Sequence, residues 1–196
     1  MYKILVPVDF SEKSNYAVKM AAKIGKNIEA EIYLLHLVEL PSGIVDMGAG
    51  SNFSIPESMM YLRKVKEKIL ALKATYFHDD QIVKYSIKFQ NPFEGITDYI
   101  KKINANLIVM GSKGVSDFKE MIIGSNTEKV VRTSTIPVIV VKADSKKFKF
   151  KKLVFASNYD DENKVAFVDF LNFAKQFKTE IHLLKINTAS SFENSF

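Results

Sequence analysis

Cysteine is absent from the 196 residues of this chain. That absence excludes disulfides, thiolate chemistry and cysteine-ligated metal sites, and it suits a reducing compartment. Long apolar runs are missing too. The opening segment, MYKILVPVDFSEK, has a short apolar run broken by Pro7 and Asp9, which is not the pattern of a signal peptide. No run approaches the ~20 residues that a membrane span requires. A cytoplasmic protein without a membrane partner is the expectation. Histidine occurs only at His36, His78 and His182. His36 falls within an apolar run and reads as structural. His78 stands in a polar turn with Asp79 and Asp80, a weak metal candidate, and His182 has no partner close in sequence. No Ser–His–Asp set or nucleophile elbow can be assembled, so no catalytic residue and no protein metal site are assigned.

What is present is enough apolar material for a core: 47% of the chain, with fifteen Phe and eight Tyr. The formal charge is +6. Part of that excess is local, in KADSKKFKFKK, residues 142–152, which reads as a solvated connector. No zinc-finger spacing, basic heptad helix or RNA-binding aromatic signature accompanies it, so no nucleic-acid partner is expected.

Apolar runs and amphipathic segments alternate along the first three quarters of the chain. Strands are predicted at 2–8, 30–40, 81–89, 106–111 and 135–142. Helices are predicted at roughly 13–26, 57–75, from Pro92 onward, and 124–133. Ser11 is a candidate cap of the first helix, and Gly25 and Asn27 are read as its end. Residues 41–56, PSGIVDMGAGSNFSIP, are read as a long loop. The 81–89 strand alternates Lys84, Ser86 and Lys88 with apolar residues and should be less buried. The pattern predicts a three-layer α/β/α fold with an open parallel sheet.

The chain then begins again. Residues 150–187 repeat the order strand, helix, strand, and a shift of 149 positions places Glu31-Ile32 on Glu180-Ile181, Leu34-Leu35 on Leu183-Leu184 and Ala17 on Ala166. The expected organisation is a complete domain over 1–143, a Lys-rich linker over 144–150, and over 151–196 the first strand, helix and strand of an incomplete second copy. On this reading the chain is a shortened form of a two-domain protein. The fragment must lean on the first domain, lean on another chain or be poorly ordered, because two strands and a helix cannot enclose a core by themselves.

The stretch VMGSKGVSDFKEMIIGSNTEKVV, residues 109–131, carries Gly111, Gly114 and Gly124 with Ser125 after the last. In a parallel sheet, ligands bind at the carboxyl ends of the strands. Asp9 ends the first strand and Gly111 the fourth. Gly124 and Ser125 fall at the amino end of a helix, where free N–H groups and the helix dipole favour an anion. Donors at one end and the Asp9 acceptor at the other describe a nucleotide. The same residues also suit plain turns, with Ser125 as a helix cap. The spacing is neither the Walker pattern nor a dinucleotide fingerprint.

Gly111-x2-Gly114-x9-Gly124-Ser125 resembles the ATP-binding signature of the universal stress protein family. So do its flanks, Ile108-Val109-Met110-Gly111-Ser112 and Ser125-Asn126-Thr127-Glu128-Lys129-Val130-Val131, and the segments Ile4-Leu5-Val6-Pro7-Val8-Asp9-Phe10-Ser11 and Leu35-His36-Leu37-Val38. The likeness spans residues 2–142, and the half copy resembles the opening of a second such domain, as in tandem members. The resemblance implies strand order 3-2-1-4-5. It implies Asp9 near ribose and adenine, Val38 by the base, Gly111 and Gly114 along ribose and phosphate, and Gly124 and Ser125 on the phosphates. ATP, with Mg²⁺ or Mn²⁺ carried on its phosphates, is the implied ligand. The implied role is a stress-response regulator or sensor with little or slow hydrolysis and an unknown regulatory partner. The alternatives are a dimeric scaffold that binds no nucleotide and, third, a slow ATP hydrolase. The family also implies a homodimer through the fifth strand, at Val138, Ile139, Val140 and Val141. In the half copy, Asn158 stands where Asp9 stands and Ser157 where Val8 stands, so no second nucleotide site is expected there.

Overall fold

The computed structural model describes residues 1–39, 55–112, 124–144 and 149–185. The chain divides into two units, Met1–Lys146 and Lys147–Phe196. No helix among the described residues is long and apolar enough to cross a membrane.

The first unit is built on a parallel five-stranded sheet. Its strands are β1 (Lys3–Pro7), β2 (Glu31–Val38), β3 (Val83–Phe89), β4 (Leu107–Gly111) and β5 (Val138–Val141), in the order β3-β2-β1-β4-β5. The helices are α1 (Glu12–Ile28), α2 (Ile55–Tyr76), α3 (Pro92–Ile103) and α4 (Ser125–Thr133). This is the α/β sheet order that the resemblance implies. Side-chain alternation sends successive residues of each strand to opposite faces. Leu5, Tyr33, Leu35, Ile108 and Met110 cluster with Ile96, Tyr99 and Ile103 of α3 and Val130 of α4. On the other face lie Ile4, Val6, Ile32, Leu34, Leu107 and Val109, all fully buried. There α1 packs closely enough that Gly25 touches Ile32. Both faces of the central strands are thus apolar, which is why β1, β2 and β4 read as near-continuous apolar runs. Each fully buried Leu or Ile contributes about 1.5–3 kcal/mol relative to exposure.

Edge position explains the weaker pattern of β3. Lys84 is exposed and reaches Glu31 at 3.2 Å, and the half-buried Lys88 lies over the Tyr99 ring. Charged side chains of this kind discourage further strand pairing at a sheet edge.

Helix boundaries follow the caps. Ser11 begins α1, its Oγ accepting the Ser14 N–H at 3.2 Å, and Asn91 caps α3 by accepting from Phe93 and Glu94. The end of α1 differs from the expectation at Gly25 and Asn27. The helix runs through both, and Glu29 takes the left-handed turn at φ 51°. Gly25 serves packing instead, since a Cβ there would stand 2.8 Å from Ile32 Cδ1.

The second unit contains β6 (Lys152–Ala156), a short 3₁₀ turn at Asp161–Asn163, α5 (Lys164–Ala174) and β7 (Glu180–Leu184). Its two strands pair in parallel from Lys152↔Glu180 to Ala156↔Leu184. This is the register of Lys3↔Glu31 to Pro7↔Leu35 with each number raised by 149. The turn repeats as well. Phe10 has φ 64° and Tyr159 φ 63°. Val8 N–H bonds the Leu35 carbonyl at 2.8 Å, and Ser157 N–H bonds the Leu184 carbonyl at 3.0 Å. A phenylalanine cluster fills this unit: Phe155 meets Phe167 and Phe170, and Phe150 meets Phe173 and Phe177.

Candidate functional site

The loops after β1 and β4 leave the sheet at its carboxyl edge, where neighbouring strands β1 and β4 connect onward to helices on opposite faces. This is the topological switch point at which open α/β sheets bind ligands.

Asp9 lies two residues beyond the end of β1. One carboxylate oxygen accepts the Ser11 N–H at 2.9 Å, closing the turn into α1. No bond to the other oxygen is seen among the described residues. The Asp9 N–H donates to Ser14 Oγ at 3.3 Å, and Ser14 is buried at the first turn of α1. Gly111, at the end of β4, lies against that same turn. A Cβ there would stand 2.7 Å from the Lys13 carbonyl carbon and 2.9 Å from the Ser14 nitrogen. Only a residue without a side chain lets β4 end this close to α1.

The next contacts bring in α4. Thr127 Oγ1 donates to the Gly111 carbonyl at 3.0 Å. Gly124 N–H donates to the Ser112 carbonyl at 2.8 Å, and Ser112 N–H donates to the Val141 carbonyl at 3.0 Å. The two ends of the segment between Ser112 and Gly124 are therefore pinned together. Asp9, Ser14, Gly111, Thr127 and Gly124 form one contiguous network. Residue 124 caps α4 without a side chain, so no side-chain oxygen occupies the first N–H groups of that helix, unlike those of α1 and α3. Ser125 is exposed beside them. An uncapped helix start of this kind favours an anion.

The structure thus brings Asp9, Gly111, Gly124 and Ser125 to one edge. Gly114 lies outside the described residues. Val38 sits at the end of β2 on this edge, but its carbonyl accepts the Gln90 N–H at 3.1 Å. Backbone polarity alternates along β2. Glu31 N–H bonds the Tyr2 carbonyl and the Leu35 carbonyl accepts from Val8, both on the β1 side, whereas Ile32 N–H bonds the Ile82 carbonyl on the β3 side. Even-numbered residues face β3 and odd-numbered ones face β1. Leu37 is the next to face β1, beyond the last pair, Pro7↔Leu35. Its peptide groups stand at the open edge where β1 gives way to Asp9. What separates Leu37 from Val38 is strand parity, which the side chain does not carry.

His36 is buried, with Nδ1 2.7 Å from the Val8 carbonyl, so Nδ1 carries the proton. Nε2 is buried and has no hydrogen-bond partner among the described residues. The Phe10 ring packs on the imidazole at 4.7 Å, and Lys68 of α2 lies over Phe10. This is the structural placement expected of His36. Among the described residues no group of three or more His, Asp or Glu could hold a metal ion. The half copy differs at its Asp9 equivalent. Asn158 Oδ1 accepts from the Asp160 N–H and from Asn163 Nδ2, and Asn158 Nδ2 donates to the Asp160 carboxylate, so its amide is engaged within the turn.

Comparison with known proteins gives this edge its context. The model of the universal stress protein family matches residues 1–142. Universal stress protein MJ0577 of Methanocaldococcus jannaschii is 34% identical over 160 residues, covering 72% of this chain and 96% of that protein. Universal stress protein YxiE of Bacillus subtilis is 32% identical over 146 residues, covering 71% and 98%. A solved structure of MJ0577 superposes with a TM-score of 0.62 at 30% identity, over 74% of this chain and 98% of that one. A universal stress protein solved in complex with cAMP shares the fold, with a TM-score of 0.51 and 19% identity over 71% and 95% of the two chains. With the family model spanning most of its length and the strand order and switch-point edge in place, this chain belongs to the universal stress protein family.

Proposed function

We propose that the first unit binds ATP at the carboxyl edge of β1 and β4 and acts as a stress-response sensor or regulator with little hydrolysis. One observation carries this reading. The uncapped start of α4 is fixed against Gly111 and Ser112, on the edge that also holds the half-free carboxylate of Asp9. Phosphate oxygens need several donors, and the first N–H groups of α4 with the Ser125 hydroxyl supply them. Ribose hydroxyls need an acceptor, and Asp9 supplies it. An adenine edge offers one donor and one acceptor side by side, which the peptide groups of Leu37 match. Mg²⁺ or Mn²⁺ would arrive with the phosphates. At 19% identity the relative solved with cAMP supports the fold alone, so the adenine preference of this chain rests on Leu37 and on family membership.

Hydrolysis needs a base aligned on a water. Asp9 is the only carboxylate that the described network brings to this edge, and its reading here is as a ribose acceptor. The open edge of β5, Val138–Val141, is read as the pairing surface for a second copy of the chain.

Calorimetric titration of nucleotide-free protein with ATP and Mg²⁺ tests the reading. Saturable binding of one ATP per chain, with ADP release far slower than exchange, is the expected result. Folded protein that takes up no ATP at millimolar concentration would overturn it.

A further inference from the structure

Asp9 is gripped from both sides by one buried residue. His36, 7% exposed on β2, donates from Nδ1 to the Val8 carbonyl at 2.7 Å, and its ring centroid lies 4.7 Å from that of Phe10. Val8 and Phe10 are the two chain neighbours of Asp9. The Val8 carbonyl belongs to the same peptide group as the Asp9 N–H, and that N–H donates to Ser14 Oγ at 3.3 Å. A peptide group is planar. Bonds at both ends therefore fix its plane, and with it the direction in which the Asp9 side chain leaves the backbone. The Ser11 N–H then donates to one carboxylate oxygen at 2.9 Å, which sets the rotation of the carboxylate and presents the other oxygen. An imidazole buried in an apolar sheet costs free energy that Leu or Val would not. Among the described residues its one hydrogen bond goes to the carbonyl beside Asp9.

The second unit supplies a comparison within the chain. Its turn has the same shape, with Tyr159 at φ 63° where Phe10 has φ 64°. The exposed Lys185 stands 149 positions after His36. The turn there is held from within, Ser157 Oγ accepting the Tyr159 N–H at 3.0 Å, and the Asn158 amide is engaged in it. The left-handed turn thus forms without a histidine. What accompanies the histidine is an acidic side chain held by one oxygen. We infer that His36 is a positioning residue of the nucleotide site: its Nδ1–H bond to the Val8 carbonyl aims the Asp9 carboxylate at the ribose. The inference rests on the reading of Asp9 as the ribose acceptor.

Two substitutions in the full chain separate this role from packing. His36→Phe keeps a ring against Phe10 and loses the donor. His36→Asn keeps an N–H donor at the same reach and loses the ring, which opens a void. Packing alone would make His36→Asn the weaker ATP binder. Positioning predicts the reverse. In calorimetry with ATP and Mg²⁺, His36→Phe should lose at least tenfold in affinity, and His36→Asn should recover most of that loss. Hydrogen exchange of the ligand-free protein gives a second readout. The Asp9 and Ser11 amides should exchange at least tenfold faster in His36→Phe than in wild type or His36→Asn, with the Ala17 and Ala21 amides of α1 unchanged. If α1 loses protection in His36→Phe, His36→Leu takes its place. Unaltered Asp9 and Ser11 amides overturn the inference, and so does His36→Asn binding ATP no better than the variant without a donor. If wild-type protein takes up no ATP, the binding reading falls, and the amides alone decide whether His36 sets the Asp9 turn.

Discussion

The Lys13 backbone passes so close to Gly111 that a Cβ on the glycine would stand 2.7 Å from the Lys13 carbonyl carbon. Backbone at the start of a capped helix cannot rotate away. Gly111→Ala should therefore destabilise the first unit by about 1–3 kcal/mol, as overpacking does, and weaken nucleotide binding by displacing the turn that holds Asp9. Gly95→Ala is the control. Its Cβ would meet Leu37 Cδ2, the end of a rotatable side chain, and alanine gains about 1 kcal/mol of helix propensity over glycine. Urea denaturation should rank Gly111→Ala as clearly the more damaging. Equal losses would mean that α1 gives way easily.

Ser125→Asp should separate stability from binding. A carboxylate in the first turn of α4 complements the helix dipole and adds about 0.3–1 kcal/mol. The same charge occupies the region read as the phosphate position. Thermal melting should move up slightly while ATP affinity falls at least tenfold in calorimetry. Unchanged affinity would place the phosphates elsewhere.

Asp9→Asn keeps an oxygen for the Ser11 N–H, the bond that closes the turn at 2.9 Å. The melting temperature should change little. Loss of the charged acceptor should lower ATP affinity roughly tenfold, about 1.4 kcal/mol. Asn158→Ala, at the equivalent position of the second unit, should leave both the affinity and the one-to-one stoichiometry unchanged. An effect of Asn158→Ala on ATP binding would show that the half copy takes part in the site.

A third carboxylate gives a pH test. Tyr33 donates to Glu31 at 2.7 Å, and Lys84 lies 3.2 Å from the same oxygen. The tyrosine hydrogen bond first, and that of Lys84 second, hold the Glu31 carboxyl below its ordinary range. Because the folded pKa is depressed, the contribution to stability is complete above the unfolded value, ~4.3. It fades as pH falls through the lower folded value. Tyr33→Phe should move the Glu31 titration up toward the ordinary range in NMR. The stability gap between wild type and variant should narrow as pH falls from neutral into that window. A gap independent of pH would assign the loss to packing alone.

The amino-acid pattern by itself determined the succession of strands and helices in the first unit, the Ser11 cap, and the placing of Asp9 and Gly111 at strand ends and of Gly124 and Ser125 at a helix start. These are local properties. Apolar runs, capping residues and glycines act within a turn or a strand of their own position, so they can be read in line. The repeat of strand, helix and strand after residue 150 was legible for the same reason.

Tertiary structure decided the rest. Gly25 looked like a helix end, yet packing against Ile32, a residue on the next strand, keeps it inside α1. Val38 and Leu37 are adjacent apolar residues with no sequence feature to separate them. Which one offers its peptide groups to the open edge depends on the pairing of β2 with β1 on one side and β3 on the other. The uncapped start of α4 becomes part of a site only because Thr127 and Gly124 bond to Gly111 and Ser112. Such contacts join residues far apart in the chain, and their energy depends on register and distance, which residue types alone do not encode.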